Sequence, residues 1–391
     1  MATNISDMLV PGIAAGTAEV QSRRDASCEV AVFEGADAIE HAASAWKAIE
    51  DAGGVNSPFQ SLAVARAAVP AHLANGEMPR IVTVRDGHRP MAIYPTVVGH
   101  WLGIPSIRFL GEPFVQYGDV IARPEANAAH LEAALAAAAD ERIASVAFFR
   151  RVRIDAAIAP ILVRRAAVVT DDGAPIVDLR DGARLKSHHA RELRRLRRRL
   201  SEQGDVVFEV LSGAATREIL HETLQFKRAW LIERGLPSTL FGNPHWERVI
   251  LDLAGARCGA TEMMVARVVV GGTTAATEIG FVDRDTWFAY MGALAPDVAR
   301  FGPGHILMDE LMAWCRARGL KAYDLLPPIQ PYKLALTSRT IPVRDYALAL
   351  GLAGFPAILA ARVVPIGKRV AAAAPLSWRR WIVRRHLRAT T

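Results

Sequence analysis

The sequence predicts an α/β (α+β) protein made of two tandem units of the same build, followed by a basic helical tail. Three observations carry this. The order strand, helix, helix, β-hairpin occurs once from Cys28 and again from Asp205. A turn-rich stretch, DDGAPIVDLRDGAR (171–184), separates the two runs. The composition, 51% hydrophobic and 22% charged over 391 residues, suits two globular cores rather than a disordered chain. The expected organisation is a flexible leader over 1–27, a first unit over 28–180, a second over 181–346 and a basic amphipathic helical tail over 347–391.

In the first unit CEVAVFE (28–34) alternates as a strand, and DAIEHAASAWKAIEDAG (37–53) has helical periodicity and ends at glycine. SPFQSLAVARAAVPAHL (57–73) places Pro58 in the first turn of a second helix. RIVTVRDGHRPMAIYPTVV (80–98) holds two strand-like runs about Asp86-Gly87, a hairpin signature. The second unit repeats this with DVVFEVL (205–211), helices over 216–235 and 244–255, and a hairpin over 262–282 about Gly271-Gly272. A further strand (287–293) then leads through a glycine turn into a helix ending near Arg318. The two copies share order but no obvious residue identity.

The net charge of +7 is unevenly placed. From Tyr346 onward there are eight basic residues and no acidic ones, which leaves 39 basic against 40 acidic in the rest. A surplus confined to a tail argues against phosphate-backbone binding as the main work of the folded body. The uncharged run ALALGLAGFPAILA (347–360) is shorter than the roughly 20 residues that cross a bilayer and is broken by glycines and a proline. Two readings of the tail stay open: an anionic membrane surface held by Trp378, Trp381 and their neighbouring arginines, or a docked helical hairpin with a solvated basic edge. The N-terminus lacks a basic n-region and its apolar run is broken by Pro11 and Gly12, so no signal peptide is expected. Cys28, Cys258 and Cys315 lie far apart, which points away from a disulfide framework or a thiolate metal site and toward the cytoplasm, peripheral to the inner membrane if the tail docks there.

The arginine-rich segment RLKSHHARELRRLRRRLSEQG (184–204) carries Leu185, Leu193, Leu196 and Leu200 at helical spacing. It reads as an amphipathic helix that opens the second unit, with solvated arginines; Arg194, Arg195 and Arg198 are its candidates for a ligand phosphate. His188 and His189 are adjacent, so they point to different sides and make a poor metal site. No nucleophile elbow or Walker loop occurs. His305 and Asp309 have the spacing of a local i,i+4 pair.

The stretch TWFAYMGALAPDVARFGPGHILMDELMAWCRARGLKAYDLL (286–326) is the most informative for chemistry. Gly302 and Gly304 before a helix let backbone N–H groups approach a diphosphate closely, as acyl-CoA binding requires. The first unit has no such glycine pair before ANAAHLEAALAAAAD, so no CoA is expected there. The stretch resembles that of the GNAT N-acyltransferases, which implies amine acylation and with it a proton acceptor and donors for developing negative charge. Glu278, on the second strand of the later hairpin, is the candidate base, and Tyr290, on the next strand, the candidate acid for a departing thiolate.

This order of elements resembles the GNAT N-acyltransferase family. RFGPGHILMDELMAWCRARGLKAYDLL with PYKLAL is similar to the second domain of CelD-type acetyltransferases found with bacterial cellulose and exopolysaccharide genes. LKSHHARELRRLRRRLSEQGDVVFEV, FKRAWLIERG and FLGEPFVQYGDVI (109–121) extend the resemblance over about residues 28–345. The tandem build is similar to the FemABX-type peptidoglycan aminoacyltransferases, which use aminoacyl-tRNA. The resemblance implies acetyl-CoA or another acyl-CoA as co-substrate, no metal, and an amino-sugar or polysaccharide-precursor acceptor; tRNA is the partner only under the FemABX-like alternative. It places Arg300, Gly302, Gly304 and His305 at the cofactor, Tyr332 and Lys333 in a functional pair after the last strand with Asp324 orienting the turn, and Arg228 and Trp230 in the acceptor pocket. Tyr117 and Asp119 would be the first unit's contribution to the same cleft. One departure stands out: the usual loop is Arg/Gln-x-x-Gly-x-Gly/Ala, whereas Arg300-Phe-Gly-Pro-Gly-His has its first glycine one residue early. A third alternative is a non-catalytic, membrane-associated accessory protein of a polysaccharide synthase.

Overall fold

The chain's alternating apolar pattern is realised in a computed structural model that describes residues 23–25, 28–180, 187–254, 257–258, 261–372 and 374–388. The leader lies outside the described residues except for β1 (Arg23–Asp25), which pairs with β2 (Cys28–Glu34). The first unit continues with α1 (Ala38–Asp51), α2 (Leu62–Ala74), β3 (Met78–Asp86), β4 (Arg89–Trp101), β5 (Ile104–Phe109), β6 (Ile121–Ala122), α3 (Ala128–Ala138), β7 (Val146–Arg153), α4 (Ala159–Arg165) and β8 (Ala167–Asp178). The second follows with α5 (Ser187–Ser201), β9 (Val206–Ser212), α6 (Thr216–Arg234), α7 (Pro244–Asp252), β10 (Arg257–Cys258), β11 (Thr261–Val270), β12 (Thr273–Asp283), β13 (Thr286–Leu294), α8 (Pro303–Ala317), β14 (Ala322–Asp324), α9 (Pro331–Leu336) and β15 (Arg339–Ala349). The tail forms α10 (Gly354–Ala372) and α11 (Leu376–Arg388).

Among the described residues fifteen strands join one sheet, with helices packed on its faces. The repeat is visible in its pairings: β5 runs parallel to β7, as β13 does to β14. Two long strands then exchange between the units. β15 follows the second unit in sequence but pairs antiparallel with β7 of the first, from Val343↔Arg153 to Ala349↔Val146. β8 ends the first unit in sequence but pairs with β14 of the second. β8 and β15 also pair with each other, from Arg339↔Ile176 to Ala347↔Ala167. The positions read as boundaries, 180 and 346, therefore lie in or next to strands that bond to the opposite unit.

Aromatic packing ties the units further. The Phe59 ring from the first unit lies 5.7 Å from Phe281 and 6.3 Å from Phe288 of the second, and Phe114 sits 4.9 Å from Tyr290. Burying such rings supplies much of the apolar free energy of an interface, with edge-on geometry preferred. Helix α5 buries Leu193, Leu196 and Leu200, as its spacing predicts, while Leu185 lies outside the described residues. Its arginines face outward, but Arg197 donates to Asp309 and Glu310 on α8, Arg195 pairs with Glu192 and Arg198 with Glu202. Asp309 is thus engaged by α5 rather than by His305.

The tail docks. Helix α10 buries Ala357 and Ala361 against Val146, Phe148 and Ala347. Helix α11 buries Val383 and packs on α6; Arg379 Nη2 donates to the Arg234 carbonyl at 2.7 Å and Arg380 Nε to the Glu233 carbonyl at 2.6 Å. These are terminal carbonyls of a helix, the negative end of its dipole, where cations are favoured.

Gly280 on β12 faces the buried indole of Trp287, and a Cβ there would overlap the ring. Gly280→Ala is expected to destabilise the protein by about 1–3 kcal/mol in urea denaturation. Gly292→Ala, whose Cβ meets only the Thr277 carbonyl at 3.9 Å, is expected to stay within about 0.5 kcal/mol of the parent.

Candidate active site

The site begins where two strands part. β13 and β14 pair only at Thr286↔Ala322, Trp287↔Tyr323 and Phe288↔Asp324. Beyond Asp324 the chain turns away through Leu326, whose φ is +58°, and β13 runs on to Leu294 with its edge on that side free of β14. On the other side β12 pairs β13 across a bulge: Ile279 meets Met291 and Gly280 meets Ala289, so Tyr290 is the extra residue. A bulge of this kind bends a strand and re-aims a side chain. The wedge widens into a cleft of about 790 Å³, walled by α6, β12, β13, the start of α8 and the turn after β14. Pro113, Gln116 and Arg151 close it from the first unit.

Gly302, Gly304 and His305 line one end. Gly302 takes φ +71° as the residue before α8, and no side chain caps the helix. The His305 N–H turns back to the Gly302 carbonyl at 3.1 Å; the other N–H groups of the first turn and the positive end of its dipole are available to an anion in the cleft. Gly304 also meets a packing demand, since its Cβ would come 3.0 Å from Leu294 Cδ2. Arg300 departs from expectation: it is exposed, lies 4.8 Å over the Phe301 ring and is not part of the cleft wall. The corresponding helix of the first unit is different. At the start of α3, Asn127 Oδ1 accepts from the His130 N–H and His130 Nδ1 accepts from the Asn127 N–H, both at 3.2 Å.

Glu278 sits deep in the same cleft, where Trp287 Nε1 donates to its Oε1 at 2.9 Å and the Tyr323 hydroxyl at 2.6 Å. Burial pushes its carboxyl above the usual range, while the two donors and the Lys333 charge oppose the shift. Tyr290 is part of the cleft wall, with its ring packed against Phe59, Phe114 and Phe281; its hydroxyl is buried and has no hydrogen-bond partner among the described residues, and burial holds its pKa well above that of free tyrosine. The hydroxyl of Thr277, another residue of the cleft wall, is likewise buried and unpartnered among the described residues. Unsatisfied buried hydroxyls are costly unless a ligand or water completes them.

Tyr332 and Lys333 both border the cleft, Tyr332 half exposed and Lys333 buried. The Lys333 ammonium donates to the Leu326 carbonyl at 2.8 Å and the Pro328 carbonyl at 3.1 Å, so it pins the turn instead of reaching freely for a phosphate. Burial brings its pKa down to about 8 against the pull of Asp324, Asp172 and Glu278. Asp324 does orient this turn, accepting from the Leu326 N–H at 2.8 Å.

On α6 the expectation is half met. Trp230 lines the cleft, with Lys227 Nζ 4.5 Å and the Arg234 guanidinium 5.1 Å from its ring centre. Arg228 points elsewhere, paired with Glu247 of α7. Lys227, Trp230, Leu231 and Arg234 share one helical face, and Arg228 falls off it. Tyr117 and Asp119 do not reach this cleft; they line a separate polar cavity of about 150 Å³. The Tyr117 hydroxyl donates to both Asp324 oxygens at 2.9 Å, which makes it a tie between units. Asp119 accepts from the Val120, Ala157 and Ile158 N–H groups, and burial raises its pKa to about 6. The first unit's charged residue at the cleft is Arg151, which sequence reasoning misses. It takes φ +56°, its N–H donates to Asp345 at 2.7 Å and its Nη1 to the Val115 carbonyl at 3.2 Å; no ion pair engages it among the described residues. No group of three or more His, Cys, Asp or Glu among the described residues is arranged to hold a metal ion.

Residues 187–334, from α5 into α9, match the profile of the acetyltransferase (GNAT) domain. No curated protein matches the chain at a significant level. Among solved structures, the C-terminal domain from Agrobacterium fabrum described as that of a lysylphosphatidylglycerol synthetase is similar over 81% of this chain and 94% of its own, with a TM-score of 0.53 and 17% identity. FemX is similar over 80% of this chain and 96% of its own, with a TM-score of 0.51 and 10% identity. A tandem GNAT protein from the clavulanic acid biosynthesis pathway aligns over 82% of this chain and 99% of its own, with a TM-score of 0.46 and 11% identity. At these identities the first two likenesses establish the fold. The chain is an α/β protein of two GNAT-like units with a C-terminal helical extension, and the match to the GNAT acetyltransferase domain falls on its second unit.

Proposed function

We propose that the protein is an acyl-CoA-dependent N-acyltransferase whose acceptor is an amino sugar or polysaccharide precursor. The observation that carries the reading is the meeting, in one cleft, of an uncapped helix start, a free strand edge and a buried carboxylate. The diphosphate of the donor takes the N-terminus of α8, and its extended arm lies along β13 from Ala289 to Leu294. Gly302, Gly304 and His305 border the diphosphate. The saccharide character of the acceptor rests on the resemblance to CelD-type acetyltransferases. Arg151, Lys227 and Arg234 make the acceptor side basic and suit an acceptor that carries a carboxylate or phosphate.

In the reaction the acceptor nitrogen attacks the thioester carbonyl carbon, a C–N bond forms and the C–S bond breaks. Glu278 takes the proton that the amine loses. Tyr290 gives its hydroxyl proton to the leaving thiolate and recovers one through solvent, so the net products are the amide and the free thiol. The Thr277 hydroxyl is available to the carbonyl oxygen as negative charge develops. Lys333 holds the turn that closes the wedge.

The FemABX-like alternative would replace CoA by aminoacyl-tRNA, with the arginine helix as its grip. The pairing of Arg195, Arg197 and Arg198 with carboxylates weakens that reading, because those charges are already partly neutralised.

Isothermal titration of acetyl-CoA is expected to give saturable binding. Gly304→Val, which crowds Leu294 at the start of α8, is expected to weaken it at least about tenfold while the melting temperature falls by only a few degrees. An absence of binding to the parent, alongside steeply salt-dependent tRNA binding, would select the alternative. Glu278→Gln is expected to retain donor binding and lower kcat about 10²–10⁴-fold in thiol-release assays with amino-sugar acceptors. The base must be ionised, so activity rises with pH through the raised pKa of Glu278. Tyr323→Phe removes a donor that stabilises the carboxylate, which raises that pKa further and moves the acidic limb of kcat/KM to higher pH. An unmoved limb refutes Glu278 as the base.

A further inference from the structure

Docking of the tail leaves a second face uncovered on each helix. On and just before α10, Leu352, Phe355, Leu359 and Val363 recur at steps of three and four, and are 89%, 61%, 65% and 53% exposed. On α11, Trp378 is 57% and Trp381 56% exposed, with Ile382 beside them. The inner faces are occupied: Ala357 and Ala361 are buried against the sheet, Val383 is buried on α6, and Arg379 and Arg380 cap α6. The apolar exposure is therefore not that of an undocked helix. Arg384 and Arg385 are exposed beside it, with the Arg385 guanidinium 5.4 Å over the Trp381 ring.

We infer that the outward faces of α10 and α11 form a docking surface for an anionic lipid bilayer. Charge complementarity selects this occupant: from Tyr346 onward the chain has eight basic residues and no acidic one. Anionic headgroups attract such a segment, and tryptophan settles at the boundary between headgroup and acyl chain, where its ring is covered and its N–H stays wet. A second copy of the chain would set two basic faces against each other. A nucleic acid would meet the arginines but leave the aliphatic side chains in water. No described helix is long and apolar enough to cross a membrane, so the contact is with one surface of the bilayer. Arg379 binds the backbone of Arg234, a residue of the cleft wall, so the docking helix is anchored at the cleft's rim. The inference does not depend on which acyl donor the cleft takes.

The test is co-sedimentation of the full chain with vesicles of phosphatidylcholine alone and of phosphatidylcholine mixed with phosphatidylglycerol. The protein is expected to partition onto the mixed vesicles only, and less so as salt rises. Trp378→Ala with Trp381→Ala, and separately Arg384→Glu with Arg385→Glu, are each expected to lower the partition coefficient about tenfold or more. Both pairs leave Arg379, Arg380 and Val383 in place, so unchanged thermal melting is expected and separates lost docking from lost folding. Four results would overturn the inference: no preference for the anionic vesicles, variants that bind as the parent does, lipid-free self-association abolished by the tryptophan changes, or tRNA binding abolished by the arginine changes while vesicles are ignored.

Discussion

The carboxylate of Asp324 is the point at which the two units and the cleft are joined. It is 1% exposed, so its charge is sustained only by the groups aimed at it. The Tyr117 hydroxyl reaches it from the first unit, the Leu326 N–H from its own turn, and Arg153 at 3.5 Å from the end of β7. Burial raises its pKa, and these partners pull the other way. The same hydrogen bond to Leu326 fixes a positive-φ turn immediately after β14. Strand β14 stops there after three residues, and β13 continues paired with β12 only. The opening of the wedge is a consequence of how one buried charge is satisfied.

Strand exchange makes this arrangement shared between the units. β14 is held between β13 and β8, and β8 comes from the other half of the sequence. β7, which carries Arg151 and Arg153, is completed by β15 in the same way. Neither wedge has its full sheet without a strand from the opposite half. Arg151 reaches the second unit's cleft because the Phe59 and Phe114 rings are packed against Phe281, Phe288 and Tyr290. Its left-handed backbone is held by an N–H bond to Asp345 on β15. A residue in that region costs of order 1–3 kcal/mol and persists where surrounding structure over-determines it, as two exchanged strands do here.

What could be read in the sequence was local. Alternation and helical spacing place the first strand, the next two helices and the hairpin of each unit, but not β5, β7 or β15, and the stretch that reads as turn-rich from 171 is strand β8 as far as Asp178; the leucine spacing of α5 marks its buried face at Leu193, Leu196 and Leu200. Glu278 was placed on a strand bordering the cleft for a local reason too, the hairpin register. Arg228 was misread although a local signal existed: residues 227, 230, 231 and 234 follow steps of three and four, and that face excludes 228. Other features had no local signal. The pairing of β8 with β14, the hydroxyl of Tyr117 on Asp324 and the reach of Arg151 link residues far apart in the chain. Whether Lys333 is free or engaged depends on two carbonyls of a turn whose course is set by Asp324. Spacing says nothing about such contacts.

Duplication offers two helix N-termini, each beside a parallel strand pair, yet the chemistry of the two ends differs. At α3 the N–H groups of Asn127 and His130 are met within the chain by a reciprocal side-chain cap. At α8 the residue before the helix is a glycine with no side chain to offer, and the first helical residue is Pro303, which has no N–H to satisfy. Capping commonly contributes about 0.5–2 kcal/mol to a helix, so an uncapped start gives up stability that a bound anion restores. The wedge of the first unit is narrower as well: Leu110, Val115 and Tyr117 pack into the space beside Phe109, leaving cavities of about 20 Å³ and, on the Asp119 side, about 150 Å³, against about 790 Å³ in the second unit. Narrowing one wedge and leaving the other open and uncapped puts the donor, in the reading proposed here, on the second unit alone. The first unit then supplies one side of the cleft and the partner that holds the turn open.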